Sequence, residues 1–201
     1  MNKEHNYIQD IAEIRSMMER SSKFLSLSGW AGILAGVYAL AGAFTVNKVF
    51  GFNPDSINYT SSDLQMVILS ASIVLVLAIG TAVIFSQRKA SQSGEKVWNA
   101  VSKQLISHVA VPLIAGGALT LILLLKGLIG LLAPLTLIFY GLALYNAGKF
   151  TFDAVKFFGL IQVGLGLIGC YFVEYGLILW AFGFGVLHIV YGAYIHFRYE
   201  R

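Results

Sequence analysis

Five side chains in this sequence could do chemistry away from water. His188 stands inside the apolar run "GFGVLHIVYGAYIHFRYER", residues 183–201, and His196 follows eight positions later. Gln162 lies in "GLIQVGLGLIG", Tyr140 in "FYGLALYNAGKF" and His108 in "SHVAVPLIAGG". An imidazole in such a setting has three uses. It can hydrogen-bond across a helix interface, carry a proton along a wet path, or ligate haem or a metal. His188 is a candidate for all three. His108 and His196 fall at similar depths near one membrane face, so with His188 they form the candidate haem or metal set. No cofactor is otherwise expected.

The acid–base and nucleophilic chemistries lack their residues. Within the long apolar stretches there is no Asp, Glu, Lys or Arg away from the ends. A paired-carboxylate site therefore has no members there, and the buried carboxylate of a typical proton-coupled transporter is missing. No His-Glu-x-x-His, Gly-x-Ser-x-Gly or Gly-x-x-x-x-Gly-Lys motif occurs. The expectation is a protein that is not an enzyme.

The elements that must position these side chains are long and apolar. Apolar residues make up 57% of the chain and charged residues 12%, about half the charged share of a soluble domain. The charges are clustered. Uncharged windows run between Lys23 and Lys48, Asp63 and Arg88, Lys103 and Lys126, Lys126 and Lys149, Lys156 and Glu174, and Glu174 and Arg198. A helix needs about 20 apolar residues to cross the hydrocarbon layer. The predicted fold is thus all-α and polytopic, with six transmembrane helices. The window after Lys156 is the shortest.

The loops orient the bundle. The side holding both termini has twelve Lys and Arg, among them Arg15, Arg20, Arg88, Lys89, Lys149 and Arg198, and the opposite side has Lys48 and Lys126. The positive-inside rule puts both termini in the cytoplasm. Residues 1–23 place Ile8, Ile11, Ile14 and Met18 near one helical face amid mixed charges. They read as an amphipathic cytoplasmic surface helix, with residues 24–201 as the transmembrane bundle. The first apolar run is too long for a cleavable signal. Cys170 is the one cysteine, so no intramolecular disulfide forms. The basic residues are scattered over short loops, which argues against a nucleic-acid partner.

Short links across Lys126-Gly127 and Glu174-Tyr175-Gly176 require antiparallel neighbours, and the six helices read as three hairpins. Small residues recur every three or four positions: Gly29, Gly32, Gly36, Ala39 and Ala43; Gly159, Gln162, Gly166 and Gly169; Ala181, Gly185, His188 and Gly192. Such stripes let helix backbones approach in lipid. Pro112 and Pro134 are candidate kinks. At 1.5 Å per residue, Gln162 sits roughly 9 Å and His188 roughly 13 Å from the cytoplasmic helix ends. The two could bond directly, through Tyr140, or through water.

The Gly-spaced hairpins, "GWAGILAGVYALAG" and "IAGGALTLILL" among them, are similar in form to the HdeD-like hairpin-repeat membrane proteins of bacteria. The stretch "FYGLALYNAGKFTFDAVKFFGLIQVGLGLIG", followed by "YGLILWAFGFGVLHIVYG", resembles an uncharacterised family of small six-span bacterial inner-membrane proteins. The resemblance implies a bacterial inner membrane and brings no catalytic residue with it.

Three functions stay open on the sequence. The first is a non-enzymatic homo-oligomer or accessory scaffold subunit whose partners are membrane lipids and a second copy or another membrane subunit. The second is a channel or facilitator for a small solute, with a polar waist at His188 and Gln162. The third is a haem- or metal-binding membrane protein.

Overall fold

The computed structural model describes residues 28–51, 61–92 and 98–200. The surface helix expected over 1–23 lies outside them. Among the described residues there is no strand, and six helices are long and apolar enough to cross a membrane. The protein is an all-α, multi-pass membrane protein. Its spans are Gly29–Val49, Leu64–Gln92, Ala100–Leu125, Ile129–Ala147, Asp153–Tyr171 and Val173–Tyr199, the first to the sixth. Gly29, Gln92, Ala100, Ala147, Asp153 and Tyr199 mark one end of the bundle, called here the near end. Val49, Leu125 and Val173 mark the far end.

The turns follow from local chemistry. Between the third and fourth spans the chain reverses at Gly127, whose φ of 74° suits a residue without a β-carbon. Its N–H donates to the Leu124 carbonyl at 3.1 Å and that of Leu128 to Leu123 at 2.9 Å, the paired bonds of a Schellman cap. At the start of the third span, Asn99 accepts from the Ser102 N–H at 2.8 Å, and the Asn99 N–H donates to Ser102 Oγ at 2.9 Å. This reciprocal box fixes where the helix begins. Pro134 falls in the first turn of the helix Leu132–Ala147, where a missing N–H costs nothing. It packs against Gly169 and Gly176 instead of kinking the span. Pro112 lies inside its helix and does remove a ladder bond.

Two helices are central. The first span packs between the second and the sixth, and the fourth packs between the third and the fifth. The tightest pairings join first to sixth and fourth to fifth, and glycine sets both. A β-carbon on Gly159 would lie 2.6 Å from the Gly141 carbonyl oxygen, and one on Gly141 would lie 2.6 Å from that of Gly159. Likewise a β-carbon on Gly36 would meet the Gly185 carbonyl oxygen at 2.6 Å. Without lipid-excluding hydrophobic drive, this backbone approach is what dispersion forces reward.

At the near end, Ala147, Phe152, Val155 and Ile195 form a buried core over which Leu105, Val109 and Tyr191 close. Tyr191 stacks on Phe158 at 4.7 Å and so joins the fifth span to the sixth. The second and third spans are peripheral. The most apolar stretch of the second has no buried residue, and the third buries only Ser102 and Gly116.

Candidate functional site

The sixth span is not a plain α-helix. It runs as α-helix over Gly176–Trp180, widens to a π-helical turn over Ala181–Val186, and resumes as α-helix over Leu187–Tyr199. Glycines at 183 and 185 tolerate the wider turn, and such turns concentrate at functional sites. Here the turn presents the Gly183 carbonyl to side chains. Gln162 Nε2 donates to that oxygen at 2.8 Å from the fifth span. His188 Nδ1 meets the same oxygen at 3.0 Å, five residues along its own helix. From the fourth span, the Tyr140 hydroxyl lies 2.8 Å from His188 Nε2.

These partners fix the protons. A carbonyl oxygen only accepts, so His188 Nδ1 carries its hydrogen. Nε2 then holds the lone pair, and the Tyr140 O–H donates to it. A charge on the ring would have no acidic partner among the described residues here, so the neutral form fits, with both nitrogens engaged. Its faces are covered as well: the rings of Tyr140, Phe158 and Phe184 lie 5.4, 4.8 and 5.6 Å from it.

Gln162 is fully buried, and its Oε1 has no hydrogen-bond partner among the described residues. The geometry accounts for this. A β-carbon on Gly183 would lie 2.5 Å from Gln162 Oε1 and 2.5 Å from Leu137 Cδ2. The oxygen thus presses on the Gly183 α-carbon, where a Cα–H group offers a weak donor. One amide grips one peptide unit, its nitrogen on the carbonyl and its oxygen against the α-carbon.

The sequence-predicted polar residues Gln162, Tyr140 and His188 are therefore brought together, from the fifth, fourth and sixth spans. Gln162 and His188 meet on the Gly183 carbonyl and not on each other. Gly183 was not foreseen, because nothing in its spacing marks a π-helical turn. Of the small-residue stripes, Gly29, Gly32 and Gly36 face Gly185, His188, Ile189, Gly192 and His196, while Gly159 and Gly166 face the fourth span.

His108 and His196 sit elsewhere. His108 is exposed on the third span, with Nδ1 2.9 Å from the Gln104 carbonyl and its ring 4.9 Å from Phe150. His196 Nδ1 donates to Glu200 Oε2 at 2.7 Å, and its ring meets Trp30 edge-on at 5.4 Å. No group of three His, Cys, Asp or Glu side chains gathers among the described residues.

Glu200 is the second feature that sequence reading passed over. Its Oε1 accepts from the Gly29 N–H at 3.0 Å and from Lys89 Nζ at 3.1 Å, while Oε2 takes the His196 bond. Ser28 makes no side-chain cap on the first span. The carboxylate supplies that cap from another helix, where an anion suits the positive helix end. It thereby ties the near ends of the first, second and sixth spans. Burial alone would raise the pKa of Glu200, but the bonds from His196, Gly29 and Lys89 and the lysine charge outweigh it and hold the carboxyl below its ordinary range. The pairing of Glu200 with His196 at i,i+4 was the available signal.

No family model, curated protein or solved structure matches the chain. The site's chemistry rests on its own geometry.

Proposed function

We propose that this integral membrane protein is a non-enzymatic assembly subunit, associating in the plane of the membrane with a second copy or an accessory partner. The observation that carries the reading is the contrast between its helices. The first, fourth, fifth and sixth spans are locked by backbone-level glycine contacts and by the Gln162–Gly183–His188–Tyr140 node. The second and third spans lean on that core by one side and offer the rest of their surfaces. Among the described residues, Gly80 and Gly117 on those spans have no atom beyond their own helix backbone within 4 Å of where a β-carbon would stand. Small open positions of this kind let another helix approach.

The polar node supports the same reading. Apart from Gln162 Oε1, its hydrogen-bond groups are spent on one another within a packed interface, as a registration device requires. A conduit would need those groups to face a wet path. In the orientation that fits the charge balance, the near end, with Lys89 and Arg198, faces the cytoplasm of a bacterial cell and Lys48 and Lys126 lie outside.

The test is particle mass in lipid nanodiscs, followed by the substitutions Gly80→Leu and Gly117→Leu. The expected result is a species larger than one chain that one or both substitutions reduce while the bundle stays folded. A single chain at every protein-to-lipid ratio, with no partner retained from native membranes, contradicts the proposal.

A further inference from the structure

The first and sixth spans touch closely at the near end and part towards the far end. The parting leaves a groove of about 720 Å³, open to the side, lined by Val37, Leu40, Ala41 and Phe44 on one wall and Leu177 and Ile178 on the other. Its position follows from the backbone. Contact through Gly29, Gly32 and Gly36 holds the near halves together. Beyond them both walls leave α-helical geometry, the first span in a π-helical turn over Thr45–Val49 and the sixth over Ala181–Val186. Thr45 Oγ1 donates back to the Ala41 carbonyl at 2.9 Å, a bond that bends helices.

At the far end the groove's lining includes one polar residue, and an exposed charge of opposite sign follows or precedes each wall in the chain. Asn47 lines the groove and Lys48 follows, exposed, one helical turn beyond Phe44. On the other wall, exposed Glu174 lies one turn before Leu177. Neither Lys48 nor Glu174 makes an ion pair with another described residue. An apolar slot lined at its far end by an amide, with an exposed cation one turn beyond one wall and an exposed anion one turn before the other, suits a lipid whose head group carries both signs. We propose that this groove is a binding site for a zwitterionic phospholipid with an amine head group. One acyl chain lies along Val37, Leu40 and Phe44, the phosphate faces Lys48 and the Asn47 amide, and the ammonium faces Glu174. A uniformly anionic lipid would meet Glu174 unfavourably, so the pair of charges selects the head group. The site goes beyond the assembly role and does not depend on it.

Native mass spectrometry and thermal unfolding in detergent test the site. The full chain is titrated with phosphatidylethanolamine, with phosphatidylglycerol of the same chains, and with glycerophosphoethanolamine, which has the head group and no chains. The wild type is expected to retain phosphatidylethanolamine at a single tight site and to be stabilised by it more than by phosphatidylglycerol. The chainless head group should do nothing. Ala41→Leu, which fills the slot from its open side, should weaken retention roughly tenfold or more. Lys48→Gln should weaken both lipids, and Glu174→Gln should abolish the preference between them. Unchanged elution of each variant in size-exclusion chromatography shows that the bundle survives. Equal retention of the two lipids by the wild type overturns the proposal. So does indifference to Ala41→Leu, or cross-linking of Ile178→Cys chains to each other, which would seat a second copy in the groove.

Discussion

Gln162 holds Gly183 across a helix interface, its Nε2 on the carbonyl at 2.8 Å and its Oε1 against the α-carbon that carries no side chain. The grip works only with glycine at 183 and only while the sixth span keeps its π-helical turn. Gly183→Ala puts a methyl group where Gln162 Oε1 and Leu137 Cδ2 already sit. Overpacking of this kind costs about 1–3 kcal/mol. Gln162→Leu removes the bond and leaves His188 on the carbonyl, at a cost nearer the roughly 0.6 kcal/mol average for interhelical bonds in membranes. Equilibrium unfolding in mixed micelles should rank Gly183→Ala as the more damaging. The reverse order would mean that the amide, and not the close approach, holds the interface.

Tyr140 and His188 should behave as one unit. Tyr140→Phe leaves the His188 Nε2 lone pair buried without a donor, which costs about 1–3 kcal/mol. In a His188→Phe background the same change removes a hydroxyl that has already lost its acceptor. A double-mutant cycle is therefore expected to show the pair of changes costing clearly less than the sum of the single ones. Strict additivity would indicate that the 2.8 Å contact carries no energy.

The Glu200 clamp gives stability a defined pH dependence. Its carboxyl is held below the ordinary value of 4.5 in the folded chain. The folded state thus binds that proton less readily than the unfolded state. The contribution is fully present above the unfolded pKa and is lost as pH falls through the lower folded one. Unfolding curves for the wild type should be level with respect to this group near neutrality and decline below pH 4.5. Glu200→Gln should lower the neutral plateau and shrink the acid decline. An identical acid decline in the variant would remove Glu200 from the account.

Much of the architecture was legible because burying an unpaired charge in lipid is so costly that charges bracket every span. The uncharged window from Lys126 to Lys149 encloses the fourth span at Ile129–Ala147, and that from Glu174 to Arg198 covers nearly all of the sixth. The polar residues of the node were legible for the same reason: Gln162 and His188 are conspicuous in apolar runs. What they bond to was not. A one-residue widening of the sixth span leaves no mark in composition, and it decides that Gly183 is the shared acceptor. Helix adjacency was half legible. Short links pair third with fourth, but the glycine-tight first–sixth and fourth–fifth contacts depend on three-dimensional closure that spacing cannot encode. Glu200 stands among charged residues at the end of the last apolar run, and nothing there marks a bond to Gly29, 171 positions away.

Glycines should divide by location. Gly36→Ala drives a methyl group against the Gly185 carbonyl oxygen at 2.6 Å and Ile189 Cγ1 at 2.7 Å, and should destabilise the first–sixth pairing by about 1–3 kcal/mol. Gly80→Ala and Gly117→Ala meet nothing within 4 Å and should leave the melting temperature of the isolated bundle unchanged or slightly raised, since alanine is the better helix former. Parallel thermal melts of the three variants check this, and a loss at Gly80 equal to that at Gly36 would contradict the packing described.

The assembly role is tested most directly by site-specific cross-linking in intact membranes. Cys170→Ser provides a cysteine-free background, into which Val76→Cys on the second span, Ile114→Cys on the third and Leu137→Cys in the core are introduced singly. Val76 and Ile114 are 68% and 71% exposed, whereas Leu137 is fully buried. The account predicts specific adducts, to a second copy or to one recurrent membrane protein, from position 76 or 114 and none from 137. Adducts to lipid alone at both exposed positions would contradict it.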